Sequence, residues 1–270
     1  LSIACRIKGI KTIATQDSFI NAWGEDAFLI LDHYLVINNK VEKHIISSQL
    51  NSIKTIKPIG AIRSDLISMF KNEEKNNSEK IVLILDTRSS KGFYKNGRAF
   101  SSSWRLNFGF YKNILQLAKK YQDIKFIIKG KNYDFIDIPY FKDIKRSIDQ
   151  APNVELYDNK KNSFNELLGK TVLTIATYTS LIDELLSKER PVIIYDTTGY
   201  PSTFFNYGHN LIVKNYEELQ LKFDIWKKDS KKFNKSIIDE SSKHFPINKS
   251  ENKVYDLLHE YLEHEFEYYI

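Results

Sequence analysis

The chain has 270 residues, 42% of them apolar and 27% charged, with a formal net charge of +6. That length buries a sizeable core in one large domain or two small ones, and the positive balance points to an anionic partner such as a nucleotide, a phosphorylated substrate or a membrane surface. One cysteine excludes an internal disulfide and a cysteine-built zinc site, no apolar run of about 18 residues is present to span a bilayer, and the cations are spread without the long basic block of a nucleic-acid arm.

Residues 1–8 read as the end of a helix, Gly9 as its stop and residues 11–15 as a strand. The opening LSIACRIKGIKTIATQDSF starts with Leu and has neither a signal-peptide nor a transit-peptide pattern, so the chain reads as a module of a longer protein. Asp17 has two readings: a base within reach of an acceptor hydroxyl, or a turn residue capping the next segment. Residues 28–38 (FLILDHYLVIN) form a strand region carrying Asp32-His33, where a histidine in an apolar strand is more often structural than catalytic. In IKPIGAIRSD, residues 56–65, Gly60 permits a tight turn. Arg63 there has three candidate partners: a phosphate, a carboxylate of another domain, or Asp65 in a plain surface pair. Residues 66–70 continue as a helix, the stretch KNEEKNNSEK, residues 71–80, is a polar loop, and the domain boundary falls in this region.

Residues 81–85 are a continuous apolar run, hence a buried strand of a parallel sheet, ending at Asp86 where open α/β sheets place their ligands. The long loop that follows offers Arg88 and Arg98 as anion contacts. An amphipathic helix spans 104–121 through Phe108, Tyr111, Leu115 and Ala118. A second strand, 124–128, delivers Lys129-Gly130-Lys131. These cations are either phosphate contacts or solvated surface, and their place at a strand end favours phosphate. A helix at 141–149, an edge strand at 153–157 and a helix from 164 lead to residues 171–196, TVLTIATYTSLIDELLSKERPVIIYD, which read as strand, turn, helix, strand. Here Thr177, Tyr178, Thr179 and Ser180 supply hydroxyls at a helix start, either as ordinary caps or as an anion site. Ser180 and Asp183 have the spacing of a capping box, Leu181, Leu185 and Leu186 form the apolar stripe, Lys188 and Arg190 put cations at the helix end, and Pro191 stops it. Beyond lie a turn at 197–201, a short strand at 210–213, a helix at 216–226, a polar stretch at 227–252 and an amphipathic helix at 251–269. His259 and His264 are poorly spaced for one metal, and no Walker loop or G-x-S-x-G motif occurs.

GIKTIATQ (9–16), IKPIGAIRSD (56–65), Lys129, and Tyr178-Thr179-Ser180 and Asp183-Glu184 with PVIIYD (191–196) resemble segments of GT-B glycosyltransferases that build bacterial surface polysaccharides, and of the related teichoic-acid glycerophosphotransferases. Two departures stand out: Asp17-Ser18 replaces a His-Gly pair, and Gly130-Lys131 replaces a His-Pro pair. The resemblance implies a GT-B-like α/β fold. Its Rossmann-type parallel sheet, with helices on both faces, would occupy residues 66–225 as a donor-binding domain. It would follow the tail end of an acceptor-side α/β domain at 1–65 and precede a helical tail at 226–270 that returns to the first domain. It further implies that Lys129, Lys131, Thr179, Ser180, Arg88 and Arg98 hold donor phosphates, that Tyr178, Asp183 and Glu184 face the nucleotide and sugar, that Arg63 sits between domains or on phosphate, and that Asp17 is the catalytic base. No metal or cofactor is implied, because cations and a helix dipole hold the diphosphate. The expected activity is transfer of a sugar, or a glycerol-phosphate-like group, from a nucleotide-activated donor such as a nucleotide-sugar to a glycan or lipid-linked glycan in capsule, lipopolysaccharide or teichoic-acid-like synthesis. The expected place is the cytoplasm, peripherally at the inner face of the plasma membrane, with an anionic membrane surface as a further partner and no nucleic acid. An epimerase of the same fold and a non-catalytic nucleotide- or glycan-binding module are the alternatives.

Overall fold

The computed structural model describes residues 1–16, 29–48, 51–68, 80–86, 104–130, 133, 138–158, 163–177, 179–199, 207–243, 245 and 254–266. The first part of the chain forms α1 (Ser2–Ile7), β1 (Ile13–Thr15), β2 (Ile30–Val36), α2 (Asn39–Ser48), β3 (Ser52–Pro58) and α3 (Ser64–Ser68). Its three strands pair in parallel in the order β1-β2-β3. Gly9, at φ +70°, ends α1 in the left-handed conformation that glycine tolerates best.

The central strand explains Asp32-His33. The Asp32 carboxylate receives the Lys54 ammonium at 2.6 Å, the Thr12 backbone N–H at 2.9 Å and the Thr12 hydroxyl at 3.0 Å, so it ties β2 to the residue before β1 and to β3. Lys54 first, and Thr12 after it, hold this carboxyl well below the usual carboxylate range. His33 Nδ1 lies 2.8 Å from the Tyr261 hydroxyl. Both residues are structural, in line with the habit of histidines in apolar strands.

The second part contains β4 (Ile81–Leu85), α4 (Trp104–Lys120), β5 (Lys125–Lys129), α5 (Lys142–Gln150), β6 (Val154–Leu156), α6 (Phe164–Lys170), β7 (Thr171–Ala176), α7 (Leu181–Leu186), β8 (Val192–Tyr195), β9 (Ile212–Val213) and α8 (Tyr216–Lys228). All strand pairs are parallel, in the order β6-β5-β4-β7-β8-β9. The chain winds outward from β4 to β6, crosses back to β7 and winds the other way, which is the doubly wound arrangement with its switch point between β4 and β7. The charge-free strand runs follow from this burial. Val82, Leu83, Ile84, Leu173, Ile175 and Ile193 are inaccessible to solvent, each contributing about 1.5–3 kcal/mol of apolar burial. On α4 the buried stripe is Phe110, Tyr111, Ile114, Leu117 and Ala118, while Phe108 and Leu115 are only half-buried. The stripe is thus rotated slightly from its expected place.

Two further helices close the chain, α9 (Ser230–Ser241) and α10 (Val254–Phe266). Composition marks residues 227–252 only as polar, yet α9 forms there, because Asp229 caps it on the Lys232 N–H at 2.9 Å and Phe233 and Ile237, one turn apart, anchor one face. α8 runs through position 226 without a break. α10 returns to the first sheet and packs Val254 and Tyr261 against Leu35 and Ile59.

The two parts meet at Asp65. Its Oδ1 accepts from Lys188 Nζ at 2.9 Å and from the Val254 N–H at 3.0 Å, and its Oδ2 accepts from the Tyr255 N–H at 2.9 Å. The Lys188 side chain is only 2% exposed, so it is a buried ion-pair partner rather than the solvated helix-end cation that its position suggests. Removing one partner of such a pair strands the other charge in the interior. Asp65→Ala is therefore expected to lower the urea-unfolding free energy by about 3 kcal/mol, with Asp65→Ala/Lys188→Met recovering part of that loss.

Candidate functional site

Three loops converge where the strands of both sheets end. β1 and β2 deliver Thr15, Gln16 and Ile37. The turn after β3, where Gly60 takes φ +100°, delivers Ala61, Ile62 and Arg63, and the start of α7 delivers Ser180, Asp183 and Glu184. These residues line a cleft of about 190 Å³. It lies at the carboxyl ends of the strands, where parallel sheets present loops instead of packed side chains.

Gln16 closes one end of the cleft: its Oε1 accepts the Ile37 N–H at 3.0 Å, which ties the tips of β1 and β2. Arg63 Nε lies 3.2 Å from Glu184 Oε1, a bridge from the first part to the second, with the guanidinium side chain half exposed. At that exposure the pair contributes at most about 1 kcal/mol to stability. Next to Ile37 and Arg63 in the chain, Asn38 Nδ2 and Ser64 Oγ are buried with no hydrogen-bond partner among the described residues, an unmet capacity that is rare in folded proteins.

Asp183 is the unusual group. It is 2% exposed. Burial pushes its carboxyl up, the Tyr207 hydroxyl pulls it partly back and Glu184 adds to the rise, leaving it at about 8. Two carboxylates at strand ends are used in local structure. Asp86, after β4, accepts the Tyr111 hydroxyl at 2.5 Å and lies 3.5 Å from the Thr177 hydroxyl, and Asp196, after β8, accepts from the Thr198 N–H, the Thr198 hydroxyl and the Gly199 N–H at 2.8, 2.7 and 3.1 Å.

Of the residues singled out in the sequence, Arg63, Ser180, Asp183 and Glu184 meet at this cleft. Lys129 ends β5, the strand beside β4 on the side away from β7; its half-buried ammonium stands 4.7 Å from the centre of the Phe164 ring, and burial pushes its pKa down. Thr179 lies at the start of α7, where its hydroxyl is 3.4 Å from the Leu181 N–H. Asp17, Arg88, Arg98, Lys131 and Tyr178 lie outside the described residues. The capping box does not form. Ser180 already has helical dihedrals (φ −63°, ψ −18°) and makes no side-chain cap, while Asp183 turns into the interior. At six residues α7 is also too short for the helix dipole to carry much of an anion site. Thr15, Gln16, Ile37, Ala61 and Ile62 were not singled out as site residues, and their one signal is that each follows or ends a strand.

A carboxyl raised from its ordinary 3.8 to about 8 binds its proton more tightly in the folded than in the unfolded chain. Its contribution to stability is complete below about pH 4 and is lost as pH rises through 8. Asp183→Asn, which does not titrate, is expected to gain stability on the parent chain between pH 4 and pH 8. By pH 8 the difference should be on the order of 5 kcal/mol, read from urea unfolding at each pH.

No family model and no curated protein matches the sequence. Solved structures do. The UDP-GlcNAc 2-epimerase from Neisseria meningitidis bound to UDP-GlcNAc aligns with 98% of this chain and 72% of its own, at 14% identity and a TM-score of 0.63. A variant of the wall teichoic acid polymerase TagF aligns with 88% of this chain and 60% of its own, at 16% identity and a TM-score of 0.52. Among the described residues no helix is long and apolar enough to cross a membrane, and no group of three or more His, Cys, Asp and Glu is placed to hold a metal. The chain has a GT-B-like α/β fold, with parallel sheets flanked by helices.

Proposed function

We propose that the chain is part of an enzyme acting on a nucleotide-activated sugar, and specifically a glycosyltransferase of bacterial surface-polysaccharide synthesis. The observation that supports this is the meeting of three segments, ending at Gln16, Arg63 and Glu184, at one cleft on the carboxyl ends of two parallel sheets. In this reading Thr179, Ser180 and Lys129 hold the donor phosphates, joined by Lys131, Arg88 and Arg98 from the loops after β5 and β4. Tyr178 and Glu184 face the nucleotide and sugar, and Arg63 orients Glu184. Asp17, next in the chain to Gln16, takes the proton of the acceptor hydroxyl. As that oxygen bonds to the anomeric carbon, the bond from this carbon to the leaving phosphate oxygen breaks, and the cations offset the charge that collects there. No metal or cofactor enters this scheme. The acceptor is a glycan or lipid-linked glycan at the inner face of the plasma membrane, to which a net charge of +6 is suited.

Epimerisation is the second reading, favoured by the alignment of 98% of the chain with the Neisseria meningitidis epimerase. Calorimetric titration with UDP, CDP, GDP and CMP tests the shared premise. One nucleotide is expected to bind, with affinity reduced about tenfold or more in Lys129→Ala/Ser180→Ala, the loss that one or two hydrogen bonds to a charged group entail. Absence of binding to all of them overturns the nucleotide reading. Isomerisation of a UDP-sugar without acceptor would replace the transferase by the epimerase.

A further inference from the structure

A phosphate entering the cleft meets an arrangement of charge that is not simply cationic. Arg63, the cation on the cleft wall, is engaged by Glu184 at 3.2 Å. From α3, Asp65 engages Lys188 at 2.9 Å, and from α2 the Lys40 ammonium donates to the Tyr207 carbonyl at 3.2 Å. The described charged and titratable groups near Asp183 are therefore Glu184 beside it on α7 and Arg63 on the cleft wall, with the Tyr207 hydroxyl acting on its carboxyl; the Lys188–Asp65 pair joins the same two parts of the chain, and Lys40 is bound to the Tyr207 carbonyl. Asp183 itself lines the cleft, buried to 2% exposure, in the first turn of α7 beside Ser180.

An ionised carboxylate at that place would repel an anion. A carboxylic acid would instead donate a charge-assisted O–H···O⁻ bond, the stronger class of hydrogen bond. We propose that Asp183 binds ligand as a neutral acid, donating its proton in a hydrogen bond to a phosphate oxygen of the nucleotide, so that binding in this cleft is coupled to proton uptake. The assignment rests on the reading of the cleft as a nucleotide site. Burial keeps the group protonated at neutral pH, and an arriving anion raises its affinity for the proton further. The ligand class is thus an oxyanion whose binding weakens with rising pH, beyond what ionisation of the ligand itself causes.

The test is calorimetry from pH 7.0 to 9.5 with the best-binding nucleoside diphosphate among UDP, CDP and GDP, repeated in buffers of different ionisation enthalpy, with inorganic phosphate as a separate arm. The expected result is a Kd that rises about tenfold per pH unit above pH 8 with up to one proton taken up. Asp183→Asn, which keeps a donor of nearly the same shape but does not titrate, is expected to lose the slope. A flat Kd in the parent chain overturns the proposal, as does an unchanged slope in Asp183→Asn, which would assign it to another group such as Lys40. Phosphate binding with the slope but no nucleotide binding would uphold Asp183 and overturn the nucleotide reading. Binding of neither would overturn both.

Discussion

A single carboxylate holds the molecule in register. Asp65 takes the ammonium of Lys188 and the first two N–H groups of α10, so the second sheet, the first sheet and the returning helix are fixed at one point. The arrangement is all-or-none in its energetics. The Lys188 charge is tolerable in the interior only with its partner in place, and the α10 amides are open N–H groups that a helix start must satisfy. Arg63 precedes Asp65 by two residues, and Glu184 precedes Lys188 by one helical turn. The contact that joins the sheets therefore also sets the width of the cleft beside it.

That cleft owes its chemistry to how its acids are placed, which differs from the use of the acids at the strand ends. Asp86, after β4, and Asp196, after β8, are engaged by neighbouring hydroxyls or amides. Asp183 is placed one residue from another acid and is buried, like Ile182, Leu185 and Leu186 of the same helix. The same residue type thus serves as a turn former in a loop and as a stored proton in a helix, with surroundings making the difference.

Much of the second sheet was legible in the sequence, since residues 81–85, 171–176 and 192–195 are apolar runs that only a strand buried on both faces requires. The first sheet was less so. β3 alternates half-buried and exposed residues, and α2 buries only Val41 and Ile45, so neither stands out from a polar stretch. The site was legible as separate segments but not as a place, because its assembly depends on the Gly60 turn and on a salt bridge between residues 123 positions apart. The capping-box reading failed for a related reason: a spacing of three places Ser180 and Asp183 on one helical face without saying whether that face meets water or the core.

The seclusion of Lys188 has a use beyond stability. In a chain rich in surface amines, this one ammonium stays out of contact with water while the sheets remain joined. Its rate of reaction with an acylating reagent would therefore report how often the two halves part, and saturating the cleft with ligand would slow or speed that single modification according to whether occupancy draws the halves together or apart.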